Sequence, residues 1–88
     1  MTQKELTVQN RLGLHARPAA LVVSEASKFR SEIHLAKDGV EINAKSIMGV
    51  MMLAAEKGST ILVTASGDDE RNAVEAIEAL FAAKFDED

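Results

Sequence analysis

The sequence has no cysteine, no tryptophan and no tyrosine, and it holds one proline and three phenylalanines in 88 residues. Without thiols there is no disulfide scaffold, no Cys-ligated zinc and no thiol catalysis. With so few aromatics there is no stacking platform for single-stranded nucleic acid. The net charge of −4 argues against a phosphate-backbone binder. No apolar run approaches the roughly 20 residues that span a bilayer. The opening Met-Thr-Gln-Lys-Glu-Leu lacks the apolar stretch of a signal peptide. No nucleic-acid partner and no membrane insertion are therefore expected, and the expected location is the cytoplasm.

What is present suits a small folded unit. Hydrophobic residues make up 47% and charged residues 27%, too apolar for a disordered chain. The length holds one core, so residues 1–88 read as a single domain. Charge is uneven: Asp68, Asp69, Glu70, Glu75, Glu78, Asp86, Glu87 and Asp88 face only Arg71 and Lys84 in the last stretch. This end reads as a solvated helix face plus a tail. The remainder, with Arg11, Arg17 and Lys45, is mildly basic and suits an anionic ligand or an acidic partner.

Short alternating runs and longer helical runs take turns. Lys4 to Val8 reads as a strand with Leu6 and Val8 on one face. Ala16 to Lys28 reads as a helix whose Ala19, Val22, Val23 and Ala26 recur at the spacing of a buried stripe. Glu32 to Lys37 alternates, with His34 outward, and Asp38-Gly39 signals a hairpin into Val40 and Ile42. Ser46 can cap a short helix from about Ile47 to Leu53. Thr60 to Ser66 is a strand, and Gly67-Asp68-Asp69 leads into a helix to about Ala83. The order is βαββαβα. Each strand has one apolar side, so helices cover one sheet face and the other is open. Strand order does not follow from periodicity.

The segment Gly13-Leu14-His15-Ala16-Arg17-Pro18-Ala19 is the candidate site. Gly13 permits a tight turn, His15 falls where the helix begins, and Pro18 occupies the first turn, where a missing N–H is tolerated. The first amides of a helix lack internal partners and carry partial positive charge. A phosphoryl group on His15 would meet the N–H groups of Ala16 and Arg17. The Arg17 guanidinium adds a charged fork matched to phosphate oxygens. A neutral imidazole is a nucleophile at physiological pH. A histidine at a helix start is also a common surface residue or cap, and residue types alone leave both readings open. No carboxylate stands at ligand spacing to His15 or His34, so neither metal nor cofactor is expected.

Leu12-Gly-Leu-His-Ala-Arg-Pro-Ala-Ala20 resembles the active-site signature of the HPr family, the histidine-containing phosphocarriers of the bacterial phosphoenolpyruvate-dependent sugar phosphotransferase system. Lys45-Ser-Ile-Met-Gly-Val-Met-Met-Leu53 resembles the family's regulatory serine and the helix after it. The resemblance covers essentially the whole chain. It implies an α/β open-faced β-sandwich, with a four-stranded antiparallel sheet covered on one face by three helices. It implies that His15 is phosphorylated on Nδ1 by phospho-enzyme I and passes the group to a IIA-type domain, with Arg17 stabilising it. Ser46 would be the target of an HPr kinase/phosphorylase in lineages that have one, and the expected state is a monomer. Such a carrier relays phosphate and is not a turnover enzyme.

The docking surface expected on this reading is Ala16, Ala20 and Leu21 with Ile47, Met48 and Met51, where small residues allow close approach and Met side chains repack against different partners. Met51, Met52 and Leu53 also read as core filling, and some of each is expected, with Val50 and Leu53 inward at least as convincingly as outward. Ser46 has two readings, a helix cap or a switch adding charge beside an apolar patch. Ala79-Leu-Phe81 followed by Phe85-Asp-Glu-Asp88 is similar to the tail of NPr, the nitrogen-branch paralogue, while the Ser46 block looks more like HPr proteins that meet the kinase; the HPr reading in the broad sense is favoured, with the nitrogen branch as the runner-up. A regulatory docking module that moves no phosphate is the alternative from another class. A hydrolytic enzyme is disfavoured, since no second acid, base or nucleophile is spaced to work with His15.

Overall fold

A computed structural model describes residues 1–87; Asp88, the last residue of the expected tail, lies outside the described residues. The chain runs β1 (Thr2–Thr7), α1 (Ala16–Ala26), β2 (Glu32–Lys37), β3 (Val40–Asn43), α2 (Ile47–Met52), β4 (Thr60–Ser66) and α3 (Glu70–Ala82), and closes with a single turn at Lys84–Asp86. The βαββαβα order matches the sequence reading. All pairings are antiparallel, in the spatial order β1-β4-β2-β3.

Alternation decides which sheet face is covered. Leu6, Ile33, Leu35, Ile61, Val63 and Ala65 point to the helices and are buried. They meet Ala19, Val22 and Ala26 of α1, Val50 of α2, and Ala73, Val74, Ile77 and Phe81 of α3. On the opposite face Gln3 stands across from Thr64, Thr64 from His34, and His34 from Asn43, a polar row spanning all four strands. The sandwich is therefore open on one side.

Local chemistry accounts for the junctions. Lys37 pairs with Val40, leaving Asp38 and Gly39 as a two-residue turn with φ of 51° and 83°. That double left-handed geometry matches the twist of the flanking strands. Ser46 caps α2 by accepting the Gly49 N–H on its hydroxyl at 3.1 Å. Helix α1 stops at Ala26 instead of Lys28, because its end tightens into i→i+3 bonds: the Lys28 N–H donates to Glu25 and the Phe29 N–H to Ala26.

The C-terminal end departs from a solvated tail. Lys84, Phe85 and Asp86 are consecutive left-handed residues, with φ of 54°, 55° and 59°. Such a run costs about 1–2 kcal/mol per residue in L-amino acids. Burial offsets it: the Phe85 ring is fully enclosed and meets the Phe81 ring edge-on, with centroids 5.0 Å apart and planes at 61°. The strap thereby folds back and brings Glu87 to the loop before α1.

Candidate functional site

The loop from Val8 to Leu14 is held by its backbone. The Val8 N–H donates to the Ser59 carbonyl at 2.9 Å, the Gly58 N–H to Val8 at 2.8 Å, and the Leu14 N–H to Ala55 at 2.8 Å. A turn closes where the Gly13 N–H reaches the Asn10 carbonyl at 3.2 Å. Gly13 has φ of 69°, and a Cβ there would lie 2.3 Å from the Ala55 carbonyl oxygen. Only glycine fits this crossing without displacing backbone.

His15 follows as the N-cap of α1, in extended conformation, and its side chain makes no capping hydrogen bond. The first-turn amides of Ala16 and Arg17 thus have no intrahelical acceptor, and Pro18, third in the helix, brings no further N–H. The His15 carbonyl accepts the Ala19 N–H at 2.9 Å. The His15 side chain is 37% exposed, open enough for an incoming group. Arg17 is exposed and forms no ion pair among the described residues.

The ring has a partner that the sequence did not suggest. Its Nε2 lies 2.8 Å from Glu87 Oε1, and the Asn10 amide donates to the same oxygen at 2.8 Å and to the Gly13 carbonyl at 2.7 Å. Both neighbours of the Asn10 nitrogen are acceptor oxygens, which fixes the amide orientation. Asn10 Oδ1 is buried without a partner among the described residues. The hydrogen bond from His15, then that from Asn10, hold the Glu87 carboxyl below its ordinary range, and the Arg17 charge lowers it further. An ionised carboxylate can only accept, so Nε2 carries the proton; in the neutral ring the free lone pair is on Nδ1. No local signal marks Glu87, 72 residues away. The one hint is an aromatic, Phe85, inside an otherwise charged tail.

His15 lines an open groove with Leu12, Leu14, Met51, Ala54, Ala55 and Glu56. Ala16, Ala20, Ile47, Met48 and Met51 are exposed and Leu21 is half-buried. Leu53 and Val50 point into the core, while Met52 is 70% exposed and joins the apolar surface. Ser46 is half-buried at the start of α2, whereas Met51, near the other end, reaches the groove. The Lys45 ammonium donates to the Phe29 carbonyl at 2.8 Å, so it serves the end of α1. No group of three His, Cys, Asp or Glu among the described residues could hold a metal ion, and none of their helices is long and apolar enough to cross a membrane.

The family model described as "PTS HPr component phosphorylation site" matches residues 2–83. The phosphocarrier protein HPr of Xylella fastidiosa (strain Temecula1) is 52% identical over 88 residues, covering 100% of this chain and 99% of the relative. That of Treponema pallidum is also 52% identical and covers 100% of both chains. The crystal structure of HPr-C-His from Thermoanaerobacter tengcongensis is similar with a TM-score of 0.96 and 46% identity, covering 100% of this chain and 99% of that one. Proteins named NPr and Crh are also similar, as is a structure described as an HPr dimer. The chain belongs to the HPr family, the phosphocarriers of the phosphotransferase system.

Proposed function

We propose that residues 1–88 work as a single cytoplasmic HPr domain in which His15 accepts a phosphoryl group on Nδ1 from phospho-enzyme I and hands it to a IIA-type domain. The observation that carries this reading is the half-exposed imidazole at the N-cap of α1, beside two first-turn amides that the His15 side chain does not cap. In the transfer the Nδ1 lone pair forms the new N–P bond. The bond from phosphorus to the donor histidine breaks, and its electron pair stays on the donor nitrogen. One phosphoramidate replaces another, so neither direction is steeply uphill. What remains for this chain is orientation and charge stabilisation, by the amides of Ala16 and Arg17 and by the Arg17 guanidinium.

Docking uses Ala16, Ala20, Leu21, Ile47, Met48 and Met51, one apolar surface serving donor and acceptor in turn as a monomer. Ser46 is a switch: a phosphate placed there by an HPr kinase adds about −1.5 to −2 charges at the edge of that surface. Incubation with phosphoenolpyruvate and enzyme I tests the central step. The protein should take up an acid-labile, base-stable phosphate, and His15→Ala should take up none. An unlabelled wild type would favour a docking module that moves no phosphate. Faster charging by a nitrogen-branch enzyme I than by the sugar-branch enzyme would move the protein to the NPr branch.

A further inference from the structure

We propose that Met48, Met51 and Met52 form an oxidation site on the docking surface, where hydrogen peroxide converts their thioethers to sulfoxides and reversibly weakens partner binding. The inference rests on the reading of that surface as the place where phosphoryl donor and acceptor dock. The chain has no cysteine, tryptophan or tyrosine, and it has four methionines. Thiols, indoles and phenols are thus missing as competitors, and thioether sulfur is what a two-electron oxidant meets first. Three of the four methionines fall in α2, Ile47–Met52. That helix buries Val50 and turns its sulfur the other way: Met48 is 69% exposed, Met52 70% and Met51 42%. Met51 is three residues and Met52 four residues from Met48, so the three side chains share one side of the helix. Met51 also lines the groove with His15. The fourth, Met1, is exposed elsewhere, with its amine on Glu70 at the start of α3.

Peroxide is the only co-reactant the step needs. The sulfur lone pair attacks one peroxide oxygen, so an S–O bond forms and the O–O bond breaks. The proton on the transferred oxygen passes to the departing hydroxide, leaving a sulfoxide and one water. Sulfur is oxidised by two electrons and peroxide is reduced by two. A flexible apolar side chain that repacks against either partner becomes a polar, chiral one with a strong acceptor oxygen. Docking then strips water from that oxygen with no donor arranged to replace it, which weakens binding. The fold is spared, because the side chains that this segment sends into the core are Val50 and Leu53. His15 itself is unaltered, so the loss falls on the encounter and not on the transfer. Thiol-dependent reduction of the sulfoxides restores the surface.

The test treats the full-length protein with hydrogen peroxide, removes the excess with catalase, and then adds phospho-enzyme I. Peptide mass mapping should place an added oxygen on each of Met48, Met51 and Met52, with the more exposed Met48 and Met52 reacting before Met51. The KM for the oxidised protein should rise about tenfold at nearly unchanged kcat, with the melting temperature close to that of the untreated chain. Methionine sulfoxide reductases with dithiothreitol should return KM to its starting value. A triple variant, Met48→Leu with Met51→Leu and Met52→Leu, is compared with itself before and after treatment; whatever its own KM, peroxide should not change it. An unchanged KM in wild type carrying the three sulfoxides, an equal rise in the triple variant, or a KM that stays raised once the sulfurs are reduced overturns the proposal. So do α2 sulfurs that resist peroxide while Met1 is oxidised. Charging that already fails in the untreated protein instead overturns the reading of His15, and this inference falls with it.

Discussion

Asp69 clamps Ser31 twice through one oxygen: Oδ1 accepts the Ser31 N–H at 3.0 Å and the Ser31 hydroxyl at 2.6 Å, while Oδ2 accepts the Arg30 N–H at 3.0 Å. The start of α3 is thereby tied to the entrance of β2. The Ser31 hydroxyl, then the Arg30 amide, lower the Asp69 carboxyl from 3.8 to about 2. Glu70 is likewise lowered from 4.5 to about 2, first by the Thr2 hydroxyl and then by the terminal amine.

These depressed values set a pH window. A carboxyl lowered by folding contributes its stability fully above its unfolded value, about 4, and loses it as pH falls toward the folded one. Thermal unfolding of the wild type should therefore weaken between about pH 4 and pH 2 as both groups take up protons. Asp69→Ala should be less stable at neutral pH and lose less on acidification. Melting curves that shift in parallel for the two proteins would show that the clamp contributes nothing.

Glycine substitutions should separate steric conflict from backbone strain. Gly13→Ala meets both a φ of 69° and a contact of 2.3 Å with backbone oxygen, whereas Gly39→Ala meets a φ of 83° and open space. Urea unfolding should show a loss of about 1 kcal/mol for Gly39→Ala and at least about twice that for Gly13→Ala. Equal losses would mean that the crossing over Ala55 relaxes freely.

Ser46 variants divide the cap from the switch. Ser46→Ala removes the acceptor for the Gly49 N–H and should cost about 1 kcal/mol while phosphate transfer proceeds normally. Ser46→Asp keeps a capping oxygen and should leave stability near wild type, yet slow charging by enzyme I several-fold through its added charge. Charging at the wild-type rate in Ser46→Asp would leave Ser46 as a cap alone.

Arg17→Ala should reduce the transfer rate about a hundredfold with the melting temperature unchanged, since the side chain is exposed and unpaired among the described residues. Arg17→Lys should recover only part of the rate, because an ammonium lacks the planar fork. Full activity in Arg17→Ala would remove the guanidinium from the mechanism.

The parts of this molecule that repeat locally were legible. Alternation in Glu32–Lys37 and Thr60–Ser66 gave both strands with their observed bounds, and Asp38-Gly39 gave the turn, because side-chain period and φ preference act over neighbouring residues. His15 was found at the helix start for the same reason, from Gly13 before it and Pro18 after it. The roles of Met51 and Met52 were not legible, since a six-residue helix carries too little periodicity to separate groove from core.

By itself, then, the sequence determined the element order, the covered faces and the histidine at the helix entrance. Tertiary structure alone decided that β4 lies between β1 and β2, and that the acidic end turns inward on Phe85 to bring Glu87 against His15 and Asn10. Periodicity says which face of a segment avoids water. Which distant segments meet depends on how all those faces pack at once, and no single stretch of chain encodes that.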